Sequence, residues 1–278
     1  MFDKFKRSWS LVKASASVLK ADKELMIFPV FSSIAFVLAG AVFFVPLLVF
    51  SPSGSSGGTW EIMGYTALFL YYFVTTFVMV FFNSALVGAA LIRLDGGDPT
   101  VADGLRIARE RIGLIAQWSL LAATVGMLLR AAKERAGFIG DMVISMIGIG
   151  WNLATFLIVP VLVTRNLGPI DALKESATLL KKTWGEQIVG NAGIGFVFMI
   201  IGLVYTGLAI PLLIFAVTTG SLYVIAPTIA AVVIGYVLIA LFSSTLSGIY
   251  SAALYRYAVK GDAGFMDQRL LATAFRHK

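Results

Sequence analysis

The chain has no cysteine in its 278 residues, and its only histidine is His277, next to the C-terminal residue. No disulfide, thiolate nucleophile or cysteine metal site is available, and neither is a histidine-dependent triad or His-ligated metal inside the fold. Charge is scarce as well. Only 13% of residues are charged against 59% hydrophobic, about half the charged fraction of an ordinary soluble domain. No phosphate-binding Walker loop, zinc spacing or glycosylation sequon occurs, and no cofactor is expected.

What is present is a set of apolar runs of roughly 20 residues or more, long enough to cross a bilayer. Six spans are read: Ile27 to Phe50, Ile62 to Ile92, Ile112 to Leu129, Met142 to Thr164, Ile188 to Val217 and Val224 to Tyr255. The first begins too late, and is too long, for a secretory signal. The second would be roughly 46 Å long as a helix, so it must tilt or project. The third is marginally short. Pro46, Pro160, Pro211 and Pro227 lie within spans, where proline is tolerated and kinks helices.

Basic residues set the orientation. Residues 1–26, 93–111, 165–187 and 256–278 carry six, four, four and five, while the opposite loops carry none, three (130–141) and none. Excess Lys and Arg mark the cytoplasmic side, which puts both termini in the cytoplasm of a cell whose inner membrane holds the protein. The net charge of +7 then reflects topology rather than a nucleic-acid partner. The stretch SPSGSSGGT, residues 51–59, is expected as a flexible external loop.

The cytoplasmic segments share a pattern. Phe2, Phe5, Trp9, Val12, Ala16 and Leu19 fall on one helical face, as do Val101, Leu105, Ala108 and Ile112, and again Ile170, Leu173, Ala177, Leu180 and Trp184. Three amphipathic helices lying in the inner interface are predicted. A shift of 72 residues superposes Arg93 on Arg165, Val101 on Leu173 and Gly113 on Gly185. The returning spans end at Arg93, Arg165 and Arg256. The chain therefore parses as one membrane domain, 1–258, in three units of interfacial helix and helical hairpin (1–94, 95–165, 166–258), with a cytoplasmic tail at 259–278. The alternative is that any six-span protein has basic amphipathic inner loops.

The 22 basic and 15 acidic residues all fall outside the spans or at their very ends. That argues against proton relays and ion pumping. Neutral polar side chains remain in or beside the spans, namely Asn83, Gln117, Asn152 and Asn191. They line a pathway or hydrogen-bond between helices, and packing is the favoured reading. Asp95, Asp98 and Asp103 form the most enzyme-like cluster, able in principle to hold Mg²⁺ against a lipid phosphate. DGLRIAR, residues 103–109, is similar to the aspartate–glycine–alanine–arginine motif of membrane CDP-alcohol phosphotransferases, but departs by one residue of spacing and lacks the downstream aspartates. Acidic residues at a glycine turn and helix start are the favoured account. Anionic headgroup contacts are expected from Lys4, Lys6, Arg7, Arg93, Arg165, Lys181, Lys182 and Arg256.

FKRSWSLVKAS (5–15), LKADKELMIFPVFS (19–32), FNSALVGAALIRLDGGDPTVADGL (82–105) and SATLLKKTWGEQIVGN (176–191) carry a resemblance. They resemble an uncharacterised family of bacterial and archaeal integral membrane proteins catalogued as a domain of unknown function. The resemblance implies a six-helix membrane fold and no reaction. The arrangement is also similar to the membrane portion attached to some glycerophosphodiesterases, whose catalytic domain these residues do not include.

Three functions follow, in order of preference. The first is a non-enzymatic scaffold or partner-binding membrane protein that contacts anionic lipids and forms a homo-oligomer or joins another membrane protein. The second is a passive channel or carrier for uncharged or apolar solutes. The third is an enzyme acting on lipid phosphates.

Overall fold

The computed structural model describes residues 2–50, 58–184, 194–262 and 264, without side-chain detail at 2–7, 46–50, 58–61, 138 and 183–184. Among the described residues the structure is helical, with no strand. In chain order the elements are α1 (Phe2–Ala21), a 3₁₀ turn (Lys23–Met26), α2 (Ile27–Phe50), α3 (Gly58–Leu94), α4 (Val101–Glu110) and α5 (Ile112–Arg135). Then come α6 (Phe138–Ala154), α7 (Ile158–Thr164), α8 (Pro169–Trp184), α9 (Ile194–Thr218) and α10 (Leu222–Lys260). Six stretches are long and apolar enough to cross a membrane: Lys23–Val45, Ile62–Leu94, Ile112–Arg135, Ile139–Thr164, Ile194–Thr218 and Leu222–Lys260. This is a multi-pass membrane fold, and each stretch overlaps one expected span. The expected loop at 51–59 lies mostly outside the described residues.

Two spans differ from expectation. The third does not stop at Leu129, because α5 continues to Arg135. Alanine, lysine, glutamate and arginine are strong helix formers, so RAAKER extends the helix after its apolar stretch has ended. The fourth is broken between α6 and α7. Pro160 has no N–H, and its ring crowds the carbonyl four residues earlier, that of Phe156. The backbone answers with short turns, Phe156 N–H to Leu153 O at 3.2 Å and Ile158 N–H to Thr155 O at 3.0 Å. The Leu157 N–H, fully buried, donates to Ser176 Oγ of α8 at 3.1 Å.

The packed core sits at one end of the bundle, here the basal end. It is built from Ser84 to Ala90 of α3, Thr245 to Tyr255 of α10 and Ile158 to Val163 of α7, together with α1, α8 and Phe28. The short helices approach through small residues. Ser8 and Ser15 are fully buried on α1, Gly104 and Ala108 are buried on α4, and Ala172 and Ser176 on α8. A methyl group on Gly104 would stand 2.5 Å from Phe28 Cζ and 2.7 Å from the Ala85 carbonyl. The apolar faces read from sequence are therefore split. Val12, Leu19, Ala108 and Leu180 are buried, while Trp9, Ile112 and Ile170 remain exposed.

Toward the distal end α9 packs against α10. Tyr205 of α9 and Tyr236 of α10 meet edge to face at 4.8 Å, and Gly235 leaves the room that the Tyr205 phenol occupies. Ala209, Ala216 and Val232 complete that seam, and most apolar side chains around it are exposed. Such exposure is what a hydrocarbon solvent allows, since lipid tails are as apolar as leucine.

Candidate functional site

The basic residues at the basal end fall into two groups. Arg93, at the end of α3, is 18% exposed and engages three partners. Its Nη2 donates to Asp98 Oδ1 at 2.7 Å and to the Ala21 carbonyl at 3.3 Å, and its Nε lies 3.7 Å from Asp22 Oδ2. Burial pushes the Asp22 carboxyl up, against the pull of Arg93. Arg165 reaches Glu175 at 3.7 Å and donates through Nε to the Tyr255 hydroxyl at 3.3 Å. Arg256, 12% exposed, pairs with Asp95 and donates through Nε to Asp262 Oδ1 at 2.8 Å. That bond, with the Gly264 N–H at 2.9 Å, holds the Asp262 carboxyl below its ordinary range. The three span-ending arginines thus join segments of the chain to one another.

A second group faces outward. Lys181 and Lys182, in the last turn of α8, are exposed and have no carboxylate partner among the described residues. The same holds for Lys13 and Lys20 on α1, Lys23 in the 3₁₀ turn and Arg109 on α4. The side chains of Lys4, Lys6 and Arg7 lie outside the described residues. Lys181 and Lys182 are among the residues expected from sequence to meet headgroups, and Lys13, Lys20, Lys23 and Arg109, not named there, share their exposure. The signal was available, because Lys13 and Lys20 lie off the apolar stripe of α1.

The three aspartates are not brought together. Asp95 pairs with Arg256 and with Lys260 at 2.9 Å, and Asp98 with Arg93. Asp103 closes a capping box at the start of α4. It accepts from Thr100 Oγ1 at 2.7 Å, Arg106 Nη2 at 2.8 Å and the Thr100 N–H at 3.1 Å. Those bonds, the Thr100 hydroxyl first, lower its carboxyl to about 2. Glu24 adds a second cap, accepting from the Val101 N–H at 3.1 Å. Among the described residues no group of three His, Cys, Asp or Glu is placed to hold a metal ion.

The neutral amides are also dispersed. Asn83 is half-buried on α3, with its Oδ1 beside Gly248 of α10. Gln117 and Asn152 are exposed on α5 and α6, next to the stacked rings of Trp118 and Trp151, 5.8 Å apart. Asn191 lies outside the described residues.

No curated protein and no solved structure matches the chain. Residues 62–265, from the second span to just beyond α10, match a family of unknown function, DUF6159, and the chain belongs to that family.

Proposed function

We propose that the protein is a non-enzymatic component of the inner membrane that gathers anionic lipid at a basic basal rim facing the cytoplasm. The observation that carries this reading is the division of the cations. Arg93, Arg165 and Arg256 are engaged by carboxylates, whereas Lys13, Lys20, Lys23, Arg109, Lys181 and Lys182 are exposed with no carboxylate partner among the described residues. Cations in that position attract the negative surface of a cytoplasmic leaflet. α1 packs against the basal part of α10, so both terminal helices share one end, where the excess of Lys and Arg also lies. Both observations support N-in, C-in insertion.

The threefold unit gains an internal argument. Gly104 of α4 lies against the backbone of Ala85, and Ser176 of α8 against the backbone of Leu157. Both members of the second pair stand 72 residues beyond the first, the same shift that superposes the arginines. The exposed amides Gln117 and Asn152 are the side chains that a second copy or a partner helix would take.

The test is native mass spectrometry of protein released from nanodiscs that mix phosphatidylcholine and phosphatidylglycerol. Retained phosphatidylglycerol is expected to fall several-fold in a Lys13→Gln, Lys181→Gln, Lys182→Gln variant, and with added salt. Retention that ignores both changes would remove the reading.

A further inference from the structure

One charged cluster lies in the distal half of the bundle, at a depth where its neighbours are apolar. Arg130 of α5 donates to the Tyr72 hydroxyl of α3 and through Nε to Glu134 at 3.1 Å. Lys133 lies 3.5 Å from Asp141 in the first turn of α6. Arg135 is exposed and has no carboxylate partner among the described residues, so three cations face two carboxylates.

The depth follows from helix geometry. Ala85 of α3 stands at the level of α4. Tyr72 is thirteen residues further along the same helix, about 20 Å of rise, and Arg130 is eighteen residues along α5 from Ile112, about 27 Å, both short of the ~30 Å of hydrocarbon that a span must cross. From Gly58 to Tyr71, α3 runs on past the cluster for about another 20 Å. α2 accompanies it, with the Phe44 and Tyr71 rings 4.9 Å apart. The side chains there are apolar and exposed, Ile62 at 68% and Leu70 at 44%. A charged helix end in that position draws water and polar headgroups down toward it.

We infer that Arg130, Lys133 and Arg135 form a notch in the distal leaflet that binds an anionic phosphate group, with the phosphate of a lipid headgroup as its source. The guanidinium of Arg130 is held by Tyr72 and Glu134 through Nη1 and Nε, its Nη2 has no partner among the described residues, and planar guanidinium forks match phosphate oxygens. The lipid chains then run toward the bilayer centre along α5 and α6, where Leu128 and Met146 are exposed. The inference rests on the proposed reading only in taking α4 as the basal boundary of the membrane. It needs no lipid at the basal rim.

The natural chain has no cysteine, so single labels are unambiguous. In phosphatidylcholine–phosphatidylglycerol nanodiscs, a nitroxide at Ala132→Cys is expected to collide with a water-soluble nickel chelate. One at Leu70→Cys, further out along the bundle, is expected to collide with oxygen instead. Equal chelate access at both sites would overturn the notch. A fluorophore at Ala132→Cys is then quenched by phosphatidylglycerol or phosphatidylcholine carrying a headgroup nitroxide. Several-fold stronger quenching by phosphatidylglycerol is expected, lost in Arg135→Gln, whose exposed side chain has no carboxylate partner among the described residues. Relief of that quenching by added inorganic phosphate would show that the notch takes free phosphate too, and no relief would assign it to lipid. Quenching indifferent to lipid charge and to Arg135→Gln would refute the site. Lys181→Gln with Lys182→Gln, at the opposite end, leaves the signal unchanged, so failure at the basal rim and failure here are separable.

Discussion

Replacing Ser176 by alanine removes one oxygen and tests how the broken fourth span is held. Ser176 and Leu157 are both fully buried, and the Oγ accepts the Leu157 N–H at 3.1 Å. The alanine keeps the Cβ that fills the α8 contact, so no cavity of consequence opens. What is lost is the acceptor for a backbone N–H that no helical carbonyl serves and no water reaches. A buried donor left unpaired costs about 1–3 kcal/mol, roughly 5- to 150-fold in the folding equilibrium. Ser176→Thr keeps the hydroxyl and serves as the control. Hydrogen exchange of the Leu157 amide in detergent micelles reads the local effect, and the thermal midpoint reads the global one. Faster exchange at Leu157 and a lowered midpoint are expected for alanine, with recovery for threonine. If Ser176→Ala leaves Leu157 as protected as before, α8 does not hold the break, and the physical account of the fourth span is wrong.

Two further outcomes follow from the α4 docking. Gly104→Val forces a side chain against Phe28 and the Ala85 carbonyl, and backbone cannot retreat as a flexible side chain can, so overpacking of about 1–3 kcal/mol is expected. Gly113→Val, where no atom lies within 4 Å of the added Cβ, is the comparison, and a similar fall in melting temperature in both would contradict the close approach. The capping box gives a pH dependence. Asp103 titrates near 2 in the folded protein against an ordinary 3.8, so its stabilisation is complete above 3.8 and is lost as pH falls toward 2. The melting-temperature gap between the natural chain and Asp103→Asn should close over that interval, and a gap that persists at pH 2 would deny the cap its role. Asp22 has the opposite sign, since burial raises its carboxyl and its contribution is lost as pH rises through the raised value.

The spans were legible because hydrocarbon excludes charge, so uninterrupted apolar runs mark the helices within a few residues. The same logic misplaced the end of the third span. Arg130 was read as a stop, but helix propensity carried α5 to Arg135 and set a guanidinium beside Tyr72. The break in the fourth span was beyond local reading. Pro160 announced a kink, yet the Leu157 N–H that the break in the helix leaves over is satisfied by Ser176, nineteen residues further on. The arginines at the span ends were visible and their partners were not, because Asp22 lies 71 residues before Arg93, and Asp95 lies 161 before Arg256. Charge counting assigns such arginines to lipid. Only the fold shows them occupied by carboxylates from distant segments.

The position of the core bears on what the protein responds to. Hydrophobic burial draws apolar surfaces together only where they would otherwise meet water, and inside the bilayer that drive is missing. The close packing of α1, α4, α7 and α8 around the basal parts of α3 and α10 is accordingly confined to one end, and Arg93, Arg165 and Arg256 each tie a returning span to another segment there. Beyond that end, α9 and α10 hold each other through Tyr205, Tyr236 and Val232 and turn most of their surface outward. The α9–α10 hairpin, fixed at its base and turned outward above it, has a position set by lipid packing as much as by protein contacts, whereas α5 is tied to α3 through Arg130 and Tyr72. Under the reading proposed above, bilayer thickness and headgroup charge are the variables such an architecture would meet most directly.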